Sequence, residues 1–116
     1  MWAEYDNMTV ESENNNYTLH VTGYHGNAGD AFNDDHVANW QSNGMQFSTL
    51  DVDNDLRPTG NCAAKWQSGW WYRWCSSSQL NGSIRIWYSV RSGDPPKART
   101  IPVSASRMML QCGAYY

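Results

Sequence analysis

The chain has 116 residues, which leaves room for one small domain, and its formal net charge of -3 is too small to indicate any kind of partner. Basic residues form no run or stripe, so nucleic acid is not expected as a ligand, and no apolar run approaches the length of a membrane span. Leu, Ile, Val and Phe number only 16, but seven Trp and seven Tyr supply large apolar area, which indicates an ordered, aromatic-rich domain.

The segment 1–50 is expected to form part of an antiparallel sheet. Apolar and polar residues alternate in "NMTVES" and "NYTLHVTGY", which indicates two half-buried strands, and "ENNN" between them is typical of a turn. In the second strand, Tyr17, Leu19 and Val21 are expected on the buried face. The glycines of "GNAGDAF" indicate a tight bend, "NDDHVANWQSNG" indicates a loop, and "MQFST" indicates a short strand that leads into an acidic segment.

This acidic segment, "LDVDNDL", carries carboxylates at alternate positions, Asp51, Asp53 and Asp55. It is not an EF-hand loop, which needs glycine at its sixth position and glutamate at its twelfth, where this chain has Leu56 and Cys62. The turn-forming residues that follow should bend the backbone and direct its carbonyls inward, an arrangement that suits a hard cation such as calcium. A solvated acidic turn without an ion is the alternative.

Three cysteines point to an oxidising, extracellular setting. Cys62 and Cys75 enclose a segment rich in Trp, Gly and Ser, and no cysteine has zinc-site spacing, so a disulfide between them is the favoured interpretation. In the chain-entropy model such a cross-link contributes about 3 kcal/mol. Cys112 is left over, and it either bridges to another chain, which would give an oligomer, or stays unpaired and buried.

Three Asn-X-Ser/Thr sequons begin at Asn7, Asn16 and Asn81, and they fit a secreted glycoprotein without establishing one. The start of the chain lacks the basic and apolar regions of a secretion signal. A secreted form would therefore have lost its signal, or the chain is a fragment.

The segment 51–104 is expected to be an irregular, disulfide-stapled lobe, followed by a returning strand at 105–116. "SIRIWYSV" and "SRMMLQC" are strand-like, whereas the three prolines of "RSGDPPKARTIP" argue against regular structure between them. Because irregular segments need large rings to bury area, we expect most of the central aromatic residues in the core, namely Trp70, Trp71, Tyr72 and Trp87.

No group of residues points to catalysis. No serine, cysteine or histidine lies in a nucleophile motif, and the aspartates are better placed as ligands than as an acid/base pair. His20, His25 and His36 have no evident carboxylate partner and are expected at the surface, and Arg85 is expected at a solvent-facing strand position. The chain is therefore not expected to be an enzyme.

Four stretches occur in an order that resembles one known family. They are "YTLHVTGYHGNAGDAF", "NGMQFSTLDVDND", "GNCAAKWQSGWWYRWCSSSQLNG" and "SRMML", and they resemble the consecutive landmarks of fibrinogen-related domains, the module of fibrinogen C-terminal regions, ficolins, tachylectins and tenascins. The resemblance implies that residues 1–116 are the C-terminal portion of one such domain. It also implies an α+β fold, mostly antiparallel β, in which part of the central sheet precedes an irregular, disulfide-stapled calcium-binding lobe.

The resemblance implies a calcium site in the acidic segment. It places carboxylate ligands at Asp53 and Asp55, and backbone carbonyl ligands at Arg57 and at Thr59 or Gly60, with water completing the shell. Two carboxylates in an exposed loop suit extracellular calcium, with a dissociation constant on the order of 0.1 to 1 mM.

The resemblance also implies a ligand pocket beside the disulfide. Family members hold a non-proline cis peptide before the second cysteine, which here is Trp74-Cys75. In lectin members the backbone N–H groups at this turn, here of Cys75 and Ser76, bind the carbonyl of an acetyl group while aromatic rings enclose its methyl. Trp66 matches one wall position, and Trp74 is the second aromatic candidate. Calcium would act at a distance by fixing the shape of the loop.

The expected function is calcium-dependent recognition of acetylated glycans by a secreted domain, as in innate immune lectins. One alternative is a fibrinogen- or tenascin-like domain that binds protein, peptide or matrix partners without binding sugar. Another is a truncated piece with no activity of its own. Ser76, where many members have histidine, and the short segment between "LNG" and "SIRIW" favour the protein-binding alternative.

Overall fold

The computed structural model describes residues 1–33, 40–91 and 97–112. These residues form two small antiparallel sheets and one short α-helix, joined by long irregular segments. No helix in the described ranges is long and apolar enough to cross a membrane.

The first sheet is a hairpin of two strands, β1 (Ala3–Val10) and β2 (Leu19–Gly26), paired antiparallel. Leu19 and Val21 are buried, whereas His20 between them is exposed. The predicted alternation is therefore confirmed for this part of β2, and "ENNN" lies in the predicted turn.

The geometry of this turn shows that the prediction for Tyr17 was wrong. A 3-10 turn, Glu13–Asn15, is followed by Asn16 and Tyr17, whose φ angles of 49° and 56° are left-handed. Tyr17 therefore precedes β2, and its side chain is exposed rather than on the buried face of the strand. Its carbonyl accepts a hydrogen bond from the indole N–H of Trp71 at 2.9 Å, so the backbone of Tyr17 fastens the turn to the domain.

Two histidines of the hairpin have carboxylate partners, contrary to the prediction. His20 Nε2 lies 2.8 Å from Glu11 Oε2, and His25 Nε2 lies 3.0 Å from Asp6 Oδ1. Antiparallel pairing creates both contacts, because it brings residues together that are distant along the chain. The surface position of both histidines is confirmed, and His36 lies outside the described residues.

An aromatic core joins the hairpin to the second half of the chain. Phe32 stacks on Trp70 with ring centroids 6.0 Å apart and meets Trp87 edge-on at 5.5 Å. The predicted core positions of Trp70, Tyr72 and Trp87 are confirmed, since all three are buried, whereas Trp71 is only partly buried. The packing of large rings thus replaces the aliphatic core that the composition lacks.

The second sheet contains three antiparallel strands in the order β3 (Ser78–Gln79), β4 (Ile86–Arg91) and β5 (Lys97–Pro102). β4 confirms the strand predicted in "SIRIWYSV". β5 shows that the prediction of no regular structure in "RSGDPPKARTIP" was wrong: the strand lies at an edge of the sheet, where a proline need not donate a hydrogen bond. Arg85 precedes β4 and is half-buried, so its predicted solvent-facing strand position was also wrong.

Two other predicted strands are not formed. "MQFST" contributes one isolated bridge, between Ser48 and Trp70. "SRMMLQC" is irregular, and its apolar residues Met108, Met109 and Leu110 are exposed. The described part of the predicted returning strand, residues 105–112, therefore pairs with no strand of the described chain, and residues 113–116 lie outside it.

A short helix, α1 (Cys62–Trp66), lies in the segment that was predicted to be irregular. Its N-cap is Asn61, whose side-chain oxygen accepts a hydrogen bond from the Ala64 N–H at 3.0 Å. It ends at Gln67, which has a left-handed φ of 55°. Five residues are too few to show a periodic pattern, so the cap was the available signal in the sequence.

Candidate functional site

The candidate site is built around the carboxylate of Asp55. Its Oδ1 accepts the Arg57 N–H at 2.8 Å, and its Oδ2 accepts the Cys62 N–H at 2.8 Å. Asp53 Oδ1 in turn accepts the Asp55 N–H at 3.1 Å. The acidic loop is therefore ordered by its own side chains, and Asp55 ties it to the first turn of α1.

Asp53 and Asp55, which were predicted from the sequence as ligands of one calcium ion, lie close enough to repel each other. Burial raises the pKa of the Asp55 carboxyl above its ordinary value, and the nearby Asp53 carboxylate raises it further, while the two backbone N–H groups act in the opposite direction. A cation would relieve this repulsion, so the chemistry of the two carboxylates fits a hard divalent ion.

The other predicted metal residues follow in the same loop. Arg57 is half-buried, while Thr59 and Gly60 are exposed. Gly60 has a φ of 82°, and the guanidinium group of Arg57 lies over it. Asp51 is not part of the pair, since its Oδ1 accepts the hydroxyl of Thr49 at 2.8 Å. No cluster of three or more His, Cys, Asp or Glu side chains occurs in the described residues, so a metal here would need backbone and water ligands.

A disulfide closes the other side of the site. Cys62 and Cys75 are bonded, with their Cα atoms 5.4 Å apart, and the Trp74-Cys75 peptide bond is cis. The Leu56 N–H donates to the Arg73 carbonyl at 2.8 Å. This hydrogen bond places the end of the acidic loop beside the residues that precede the second half-cystine.

Arg73 anchors this segment to the interior. Its Nε donates to the Gln41 carbonyl at 2.9 Å, and its Nη2 donates to the Asn43 carbonyl at 3.0 Å. Its backbone N–H donates to the Cys75 carbonyl at 2.6 Å. The turn that carries Trp74 is thus held by hydrogen bonds as well as by the disulfide.

Near the cis peptide, some polar groups form hydrogen bonds, and others have no hydrogen-bond partner among the described residues. The Ser76 hydroxyl lies 2.9 Å from the Ser42 hydroxyl and accepts the Ser78 N–H at 3.1 Å. The backbone N–H groups of Cys75 and Ser76 donate to no acceptor within the part of the chain that the structure describes. Among the described residues nothing occupies these two groups, so they could donate to a ligand carbonyl.

The two candidate aromatic side chains have different surroundings. Trp74 has 46% of its surface exposed. Trp66 ends α1, is half-buried against the core and lies under the Lys65 ammonium group, which is 5.6 Å from its ring centroid. Trp74 is therefore the more accessible ring, and a role for Trp66 in a pocket stays a prediction.

Sequence reasoning missed the exposed apolar residues of the acidic loop. Leu56 has 58% of its surface exposed, and Leu50 and Val52 are exposed as well. The available signal was the alternation of apolar residues with aspartates in "LDVDNDL", because a solvated acidic turn needs no apolar side chains.

Comparison with known proteins assigns the family. The model for the C-terminal globular domain of fibrinogen beta and gamma chains matches residues 1–94. The chain belongs to the fibrinogen C-terminal domain family. Relatives of this fibrinogen-related domain include the Drosophila melanogaster protein scabrous, 36% identical over 94% of the chain. The Bos taurus fibrinogen-like protein 1 is 46% identical over 70% of the chain.

Solved structures show the same fold. The fibrinogen-like globe domain of human ANGPTL2 is 48% identical over 69% of the chain, with a TM-score of 0.60. Lamprey fibrin D-dimer, solved with the peptide ligand Gly-His-Arg-Pro-amide, is 34% identical over 69% of the chain, with a TM-score of 0.63. The fibrinogen-related domain described here spans 12% of scabrous, 27% of fibrinogen-like protein 1, 33% of the ANGPTL2 chain and 27% of the lamprey chain.

Proposed function

We propose that this fibrinogen-related domain is a non-catalytic recognition module that binds an extracellular protein or peptide. Its binding site is the recognition surface, which we define as the exposed side chains of Leu56 and Trp74. The observation that carries the proposal is the hydrogen bond from the Leu56 N–H to the Arg73 carbonyl, which brings the exposed residue Leu56 beside the residue that precedes the exposed Trp74. The disulfide supports the extracellular location.

The recognition surface suits a peptide with apolar groups, because Leu56 and Trp74 are exposed apolar side chains. Exposed tryptophan on a rigid segment is the side chain most often found at the energetic centre of protein interfaces. The lamprey relative was solved with a peptide ligand, Gly-His-Arg-Pro-amide, which supports a peptide as the kind of partner.

Trp74→Ala is expected to weaken peptide binding by about thirtyfold, the effect of losing a hot spot worth about 2 kcal/mol. Isothermal titration with Gly-His-Arg-Pro-amide as the probe measures this change. Trp2→Ala is the matched control, because Trp2 is 53% exposed, close to the 46% of Trp74, but lies ahead of β1. The control variant should bind as the wild type does. Equal losses in both variants, or none in Trp74→Ala, would contradict the proposed surface.

A second candidate function is binding of an acetylated sugar. It is supported by the backbone N–H groups of Cys75 and Ser76, which could receive an acetyl carbonyl beside the Trp74 ring. Excess N-acetylglucosamine in the same titration separates the candidates. Peptide binding that survives the sugar favours a protein partner, and sugar binding lost in Trp74→Ala favours the acetylated ligand.

Calcium is proposed as the ion of the acidic loop, held by the carboxylates of Asp53 and Asp55 and by backbone carbonyls at Arg57 and at Thr59 or Gly60. The repulsion between the two carboxylates supports this assignment. Bound calcium would neutralise the pair and fix the shape of the loop.

Asp53→Asn is expected to weaken calcium binding at least about tenfold from a dissociation constant on the order of 0.1 to 1 mM. Asparagine keeps the oxygen that accepts the Asp55 N–H but removes the charge. Asp51→Asn is the control, because Asp51 belongs to the same loop and is bonded to Thr49 instead. Calorimetric titration of calcium measures both variants. If Asp51→Asn lowers the affinity as much as Asp53→Asn, the loop binds cations only by its net charge.

A further inference from the structure

The turn between β1 and β2 carries a sequon, Asn16-Tyr17-Thr18, that the proposed recognition surface does not use. We propose that Asn16 carries an N-linked glycan in the secreted protein. This proposal shares with the proposed function only the extracellular location. It can therefore stand or fall whether or not the domain binds a peptide.

The turn has the exposure that a glycan requires. Residues 12–17 are all exposed, and Asn16 lies in a left-handed position at the end of the 3-10 turn. A glycan is bulky and hydrophilic, so its attachment site must open to solvent in the folded domain. The tip of this hairpin meets that condition along its whole length.

The hydrogen bonds of Asn16 are compatible with the modification. Its backbone carbonyl accepts the Phe47 N–H at 2.9 Å, and its backbone N–H donates to the Glu13 carbonyl at 2.9 Å, so neither bond involves the side chain. Its Nδ2 donates to Gln46 Oε1 at 3.2 Å. Glycosylation replaces one of the two hydrogens on Nδ2, and the remaining hydrogen can keep this bond.

The asparagines of the other two sequons are also exposed, but their local structure differs from that of Asn16. Asn7 lies within β1, where neighbouring residues pair with β2. Asn81 Nδ2 donates to the Gly69 carbonyl at 3.2 Å, and the adjoining Gly82 is so close to Ser68 that an added Cβ would lie 3.0 Å from the Ser68 Cβ. Asn16, by contrast, lies in the turn outside both strands, and its side chain donates to the side chain of the half-buried Gln46.

The reaction needs a lipid-linked oligosaccharide pyrophosphate as donor, which the secretory pathway of animal cells supplies. The bond between sugar C1 and the pyrophosphate oxygen breaks, a bond between C1 and Asn16 Nδ2 forms, and Nδ2 loses one proton. The lipid pyrophosphate leaves. Thr18 completes the sequon that the transferring enzyme recognises.

The test is secretion of the full chain from cultured animal cells behind a signal peptide, followed by digestion with peptide N-glycosidase in heavy-oxygen water. We expect mass spectrometry to find Asn16 converted to labelled aspartate in most molecules. Thr18→Ala should abolish this label, whereas Thr18→Ser should keep it. Asn15→Gln is the matched control, since Asn15 neighbours Asn16 in the turn but begins no sequon.

Recovery of the Asn16 peptide mainly in unmodified form from the wild type would overturn the proposal. So would a label that persists in Thr18→Ala. Because glycosylation takes place on the chain as it enters the secretory pathway, the peptide can also be read from cell-associated protein. A variant that is poorly secreted therefore still gives a result.

Discussion

Trp70→Ala is expected to lower the free energy of unfolding by about 3 to 5 kcal/mol, the cost of deleting a buried aromatic side chain. Trp70 is 2% exposed, stacks on Phe32 with centroids 6.0 Å apart and packs against Trp71 at 5.3 Å. Its backbone also pairs with Ser48. Alanine would keep that bridge but would leave a cavity between rigid rings, which cannot close it. Urea denaturation followed by circular dichroism measures the loss.

Trp70→Phe is the control for this prediction. The indole N–H of Trp70 is buried and has no acceptor in the described part of the chain. Phenylalanine removes this unpaired donor together with part of the ring, so it should cost clearly less than alanine. A loss below about 1 kcal/mol for Trp70→Ala, an ordinary value for a point substitution, would show that Trp70 does not organise the core.

Joint replacement of Cys62 and Cys75 by alanine is expected to lower the free energy of unfolding by about 3 kcal/mol. The disulfide joins residues separated by 13 positions, and without it the unfolded chain gains conformational entropy. Peptide binding should weaken in the same variant, because the disulfide holds the segment that presents Trp74. Urea denaturation and titration with Gly-His-Arg-Pro-amide measure the two effects.

Cys112→Ala is the matched control, since Cys112 is exposed and unpaired. Its exposure also excludes the buried position considered from the sequence, while a bridge from Cys112 to another chain stays a prediction. The control should leave the free energy of unfolding within about 0.5 kcal/mol of the wild type, as for an ordinary surface substitution. A double variant as stable as Cys112→Ala would mean that the cross-link is dispensable.

Local pattern was sufficient where neighbours along the chain determine the structure. Leu19 and Val21 could be predicted as buried because a strand alternates its faces. The exposure of Tyr17 could not be predicted, since the left-handed turn ends at Tyr17 and β2 begins only two residues later, at Leu19. The segment "SRMMLQC" has strand composition, but a strand forms only where a partner is in reach, and composition carries no information about the partner.

The candidate site also has features that could be predicted from the sequence and features that could not. The pairing of Cys62 with Cys75 could be predicted, because the two cysteines enclose a short segment and match the family motif. The role of Asp53 and Asp55 as calcium ligands stays a prediction. The contact between Leu56 and Arg73 could not be predicted, because it is a backbone hydrogen bond between residues that are distant along the chain. Contacts of this kind follow from the fold as a whole, and no local pattern encodes them.

At position 73, arginine and lysine are not equivalent although they carry the same charge. The guanidinium group of Arg73 reaches two separate carbonyls, those of Gln41 and Asn43, in one plane, while the carbonyl of Arg73 itself receives the Leu56 N–H. Lysine would retain the positive charge but, as a compact point donor, could not span both acceptors from one fixed pose. Position 73 therefore needs the geometry of a guanidinium group and not only a positive charge. In a homologous chain with lysine there, fewer hydrogen bonds would hold the segment that carries the equivalents of Leu56 and Trp74.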